Sequence, residues 1–135
     1  MFAGVLKNLG TKTAFVVHGS DGLDEATVTG KTRVTELTNG LINTYDIDPV
    51  FFFGDIFPGD ALLGGDASVN AEITKSVLTG ISGACRNIVL LNAALAIITG
   101  EMAKTIKEGI EIAKECIDSG AAIKKLQALI ELSNS

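Results

Sequence analysis

The chain has 135 residues, 47% of them hydrophobic, with a mean hydropathy of +0.38, which is enough apolar side chain for the core of one domain. Eleven basic residues against sixteen acidic ones leave a net charge of −5 and a pI of about 4.7; that balance excludes a nucleic-acid footprint, and a phosphorylated ligand would need a metal as bridge. No run of about 18 apolar residues marks a membrane span, and two cysteines with a single histidine support neither a disulfide framework nor a zinc constellation. Residues 1–7 lack the basic start and long apolar core of a secretory signal, so a cytoplasmic location is expected, with Cys85 and Cys116 reduced and serving as packing residues.

The first element is a strand over residues 13–18, where Thr13, Ala14, Phe15, Val16 and Val17 form a short, continuous, apolar run. It feeds a loop punctuated by Gly19 and Gly22 that presents Asp21, Asp24 and Glu25. Ligands gather at strand ends in open α/β sheets, and adjacent hard oxygen donors such as Asp24 and Glu25 suit Mg²⁺, which takes one or two protein carboxylates and completes its shell with water and substrate phosphates. The plainer reading is a solvated acidic turn, because Asp, Gly and Ser are ordinary turn residues. His18 either sits near bound phosphates or anchors the loop.

A hairpin follows, with strands over residues 32–38 and 41–47 turning at Asn39-Gly40, the dipeptide favoured by a type I′ turn. It is expected to lie beside parallel strands, which makes the sheet mixed. Thr29, Lys31, Thr32 and Arg33 read as a strand entry rather than a phosphate grip. Phe51, Phe52, Phe53 and Phe57 read as a core patch under an irregular section that ends at the Pro58-Gly59 turn.

The remainder reads as four helices. Asp66 N-caps the first, over residues 67–78, and the Gly64-Gly65 pair before it is a loop feeding that helix. The second covers residues 86–98 and is apolar around most of its circumference, the pattern of a buried helix. A third spans residues 103–118 with Ile106, Ile110, Ala113 and Ile117 on one stripe, and Gly109 marks close helix packing. The last runs over residues 121–132 after Ser119-Gly120. Asn70 and Asn92 interrupt apolar helices, and each is expected to tie its helix to a neighbouring loop, since a buried amide must find partners.

Several of these segments together resemble the anthranilate phosphoribosyltransferase family. The matching runs are Leu6-Lys7-Asn8-Leu9-Gly10, Val16-Val17-His18-Gly19 and Asp21-Gly22-Leu23-Asp24-Glu25, then Thr29-Gly30-Lys31-Thr32-Arg33-Val34 with Glu36-Leu37. Gly64-Gly65-Asp66-Ala67 with Asn70-Ala71, Arg86-Asn87 with Val89-Leu90-Leu91-Asn92-Ala93-Ala94, and Ile117-Asp118-Ser119-Gly120-Ala121-Ala122 with Lys125-Leu126 continue the family's order.

The resemblance implies an α/β fold, part of a nucleoside-phosphorylase/phosphoribosyltransferase-like domain, with a mixed sheet, a β-hairpin and C-terminal helices. It implies that residues 1–135 are the C-terminal part of that α/β domain, without the family's N-terminal helical domain and its glycine-rich phosphate loop. Some apolar surface is then expected to be covered by the absent part or by a partner. The activity implied is transfer of phosphoribosyl from phosphoribosyl pyrophosphate to anthranilate in tryptophan biosynthesis. The cofactor implied is Mg²⁺, with Asp24 and Glu25 matching the family's metal-binding pair; no catalytic residue is identified. Three readings stay open: a phosphoribosyltransferase segment inactive by itself, a non-enzymatic remnant or complementing fragment, and a related nucleoside-phosphorylase-like enzyme.

Overall fold

The computed structural model describes residues 1–135. Helix α1 (Phe2–Asn8) leads into strand β1 (Thr13–Gly19), and the hairpin forms β2 (Thr32–Thr38) and β3 (Leu41–Ile47). A short helix α2 (Val50–Phe53) and a 3-10 turn (Gly59–Leu62) precede α3 (Ala67–Leu78), α4 (Ala84–Thr99), α5 (Ile106–Asp118) and α6 (Ala121–Ser133). The hairpin turn is tight because Asn39 and Gly40 both take positive φ, 50° and 77°, as a type I′ turn requires.

The sheet has the order β1-β2-β3 and is antiparallel at both pairings, where a mixed sheet was expected. The reason lies in the connection. Residues 20–31 fold back at the end of β1 and return the chain reversed alongside it, whereas a parallel neighbour needs a crossover to the other end.

The pairing register fixes the two faces. Val17, Val34 and Tyr45 stand opposite one another and pack into the core, while the next row, His18, Arg33 and Asp46, points to the other side. There Arg33 Nε and Asp46 Oδ1 form an exposed ion pair at 2.8 Å. Helix α1 packs against β1 and β2, and Ala3 and Leu37 are both buried.

The core joins the sheet to α4 and α5. Leu90, Leu91, Ala94 and Leu95 of α4 are buried with Ile110, Ala113 and Ile117 of α5. Full burial of a leucine side chain contributes about 1.5–3 kcal/mol, so this helix pair is the mechanical base of the molecule. Gly109 permits the close approach: a Cβ there would lie 2.8 Å from Ala94 Cα and 2.9 Å from its carbonyl oxygen. The expected α3 and its Asp66 cap are present, with Val69 N–H donating to Asp66 Oδ1 at 3.0 Å.

Other boundaries and environments moved. The helix expected from residue 103 starts at Ile106, because Thr105 caps it by accepting from Glu108 N–H at 3.2 Å. Helices α1 and α2 lacked a periodic signal long enough to mark them. Phe52, Phe53 and Phe57 pack against the core as expected, but Phe51 projects outward at 86% exposure. Cys116 also departs from its expected packing role, since it lies on the exposed side of α5, while Cys85 is half-buried.

Candidate metal centre

The acidic loop is built on close backbone approaches. At Gly19 an added Cβ would lie 3.1 Å from Thr27 Cγ2 and would collide with the Asp21 carboxylate, so only glycine fits. Gly22, at φ +96°, closes the turn: its N–H donates to Gly19 O at 3.0 Å, and Gly19 N–H donates to Leu23 O at 2.9 Å. Ser20 N–H reaches Lys31 O at 2.8 Å and ties the two ends of the loop together.

Asp21, one of the three carboxylates the sequence presents, is spent inside the loop. It accepts from the hydroxyls of Thr27 and Thr29, each at 2.5 Å, and from Leu23 N–H at 3.1 Å. Burial acts to raise its pKa, but these donors outweigh that effect and hold the carboxyl below its ordinary value of 3.8. Asp24 and Glu25 are exposed. The Glu25 carboxyl is pushed above its ordinary 4.5, first by burial and then by the negative charges of Asp24 and Asp21. A cation beside the pair would remove that conflict.

The chain dives immediately after Glu25. Ala26, Thr27 and Val28 are each 0% exposed. Thr27 N–H donates to Thr32 Oγ1 at 2.9 Å, and Val28 O accepts from Phe57 N–H at 3.0 Å. Asn92 of α4 clamps the backbone of Ala26 through both its polar groups: its Oδ1 accepts from Ala26 N–H at 2.9 Å, and its Nδ2 donates to Ala26 O at 2.7 Å. The tie expected of Asn92 is therefore present. Asn70 makes the equivalent pair of bonds to Gly65, both at 2.9 Å, so Gly64-Gly65 is indeed a loop held against α3.

Glu25 also lies at the edge of an apolar cleft of about 450 Å³, lined by Leu23, Leu62, Val77, Cys85 and Ile88 among others. His18 is placed elsewhere. It lines a smaller polar cleft of about 220 Å³ with Ser20, Lys31, Arg33 and Asp46, and makes no hydrogen bond to the acidic loop. Thr32 and Arg33 open β2 as expected, whereas Thr29 holds Asp21.

The donor set decides which metal fits. No group of three or more His, Cys, Asp or Glu side chains converges within residues 1–135. Two adjacent exposed carboxylates on a fixed loop fit Mg²⁺ held largely by water and ligand oxygens. The role of Asp21 escaped sequence reasoning; the signal was the pair of threonines, Thr27 and Thr29, that supply hydroxyls within reach of it. No helix is long and apolar enough to cross a membrane.

Comparison with known proteins fits this arrangement. The chain is 50% identical over 133 residues to the anthranilate phosphoribosyltransferase of Bradyrhizobium sp. (strain ORS 278), covering 98% of this chain but 40% of that protein. Its fold is similar to that of the anthranilate phosphoribosyltransferase from Thermus thermophilus, with a TM-score of 0.87 and 29% identity over 98% of this chain and 39% of the other. The Saccharomyces cerevisiae anthranilate phosphoribosyltransferase in complex with PRPP and Mg gives a TM-score of 0.77 and 28% identity over 88% of this chain and 34% of that one. The chain thus spans about 40% of the length of the curated relatives it matches. Residues 1–123 match the glycosyl transferase family, a/b domain, and the chain belongs to that family.

Proposed function

We propose that residues 1–135 are the C-terminal part of the α/β domain of an anthranilate phosphoribosyltransferase, and that Asp24 and Glu25 hold its Mg²⁺. The observation that carries the reading is the exposed Asp24-Glu25 pair, seated directly before the buried Ala26–Val28 anchor, in a chain 50% identical to such an enzyme. The S. cerevisiae relative, solved with PRPP and Mg, supports both the ligand and the ion.

In this reaction the amino nitrogen of anthranilate forms a bond to ribose C1, the bond from C1 to the pyrophosphate oxygen breaks, and the nitrogen gives up a proton. When bound, Mg²⁺ supplies neutralisation of the charge that develops on the departing pyrophosphate. This chain contributes the fixed anchorage. Asp24 and Glu25 offer two anionic oxygens, and the Asp21–threonine bonds and the Asn92 clamp hold the loop beneath them. A stabilised anion leaves without a strong acid, so none is required of the loop. A cytoplasmic location belongs to the same proposal.

The glycine-rich loop and hydroxyl contacts to PRPP lie, by the family resemblance, outside residues 1–135. The reading therefore makes this chain one half of a site. Titration of Mn²⁺ into the chain should give weak binding that Asp24→Ala plus Glu25→Ala abolishes. Unchanged binding in the double variant would remove the metal assignment.

A further inference from the structure

We propose that Asn92, from the middle of α4, is a positioning residue that sets the Asp24-Glu25 pair for its cation. The proposal rests on the reading of that pair as a Mg²⁺ site. Four contacts converge on one amide. Oδ1 accepts from Ala26 N–H at 2.9 Å, and Nδ2 donates to Ala26 O at 2.7 Å, to Ile88 O of its own helix at 2.9 Å, and more loosely to Glu25 Oε2 at 3.3 Å. The amide nitrogen has two protons for three acceptors, so the Glu25 contact is shared and secondary. The dominant pair holds the two successive peptide groups that flank Ala26, the first of which joins it to Glu25.

Asn70 grips Gly65 with the same pair of bonds, so the pair alone does not distinguish Asn92; what does is the residue it grips, directly after Glu25, and the added contact from Nδ2 to Glu25 Oε2. The two bonds to Ala26 set the direction in which the backbone leaves Glu25, and the added contact reaches a Glu25 oxygen from the same nitrogen. Ile88 O anchors the side chain to α4, whose Leu90, Leu91 and Ala94 are buried at 1% exposure or less. The core helix therefore transmits its rigidity to the carboxylate pair through Asn92. Oriented ligands bind a cation without first giving up conformational freedom, and groups that orient metal ligands carry a measurable share of metal affinity.

The test is the Mn²⁺ titration of the chain, followed by the electron-paramagnetic signal of free Mn²⁺ well below the unfolding midpoint, with the midpoint measured alongside. Asn92→Ala and Asn92→Ser should each raise the Mn²⁺ dissociation constant about tenfold, the low end for loss of a group that orients a metal ligand. Ile110→Val, a buried change on α5 that touches none of the hydrogen bonds of the loop, should lower the midpoint and leave the constant unchanged. Asn92 variants that lower the midpoint but bind Mn²⁺ as the parent does would overturn the proposal, and so would failure of every Asn92 variant to fold. Absence of binding in the parent, or its persistence in Asp24→Ala plus Glu25→Ala, identifies the metal reading itself as the error and takes the positioning role with it.

Discussion

Asp21→Ala should destabilise the molecule by about 1–3 kcal/mol at neutral pH, although Asp21 lies on the surface. The magnitude comes from the group left behind. Thr27 is 0% exposed, and its hydroxyl donates to Asp21 Oδ2; with the carboxylate gone, this buried donor loses a charged acceptor and keeps only the neutral Thr29 Oγ1 at 3.1 Å. The Thr29 hydroxyl and Leu23 N–H also bond to Asp21 but are able to turn to water, so they add little. For a chain of this size the loss corresponds to a fall of roughly 3–12 °C in the thermal midpoint. Circular dichroism melts of the parent, Asp21→Ala, Thr27→Val and the double variant would isolate the pair, and a coupling of about 1 kcal/mol or more is expected. The pH dependence has a definite sign. The folded carboxyl titrates below its ordinary 3.8, so the stabilisation is fully present above that pH and is lost as pH falls through the lower folded value. Equal midpoints for parent and Asp21→Ala at neutral pH, or additive single variants, would refute the reasoning.

Two further outcomes follow from the same geometry. Glu25→Gln should raise the midpoint at neutral pH: the folded carboxyl titrates above its ordinary 4.5, so its favourable contribution exists below that pH and disappears as pH rises through the folded value. The gain should vanish in acid, and melts at several pH values check it. Gly109→Ala should cost about 1–3 kcal/mol in urea unfolding, because its methyl meets Ala94 backbone atoms at 2.8–2.9 Å that have no room to yield. A variant as stable as the parent would mean that α4 and α5 separate easily.

The parts of the fold legible in the sequence were those governed by neighbours in the chain. Asn39-Gly40 dictates a two-residue turn, and both hairpin strands run over the residues their pattern predicts. Asp66 and the Gly109 packing position were legible for the same local reason. The antiparallel pairing of β1 was not, because it depends on where a twelve-residue connection leads the chain rather than on the strand's own residues. Nor was the consumption of Asp21, which needs the loop to bring Thr27 and Thr29 back over it. Asn92 was recognisable as a tie, yet its partner lies 66 positions away, a distance no periodicity spans. The Asp24-Glu25 assignment draws on family resemblance, to which the structure adds an exposed pair on an anchored loop.

The central claim is that this chain supplies the metal half of a phosphoribosyl-transfer site. The most direct measurement is the loss of anthranilate fluorescence with PRPP and Mg²⁺, using residues 1–135 alone and then with the N-terminal part of an anthranilate phosphoribosyltransferase added as a separate polypeptide. Positioning of reactants in such a site is worth on the order of 7–11 kcal/mol of barrier, so the chain alone should be silent. Turnover should appear only on mixing and be lost with Asp24→Ala plus Glu25→Ala. Steady turnover by residues 1–135 alone, or a mixture whose activity survives that double substitution, would contradict the account.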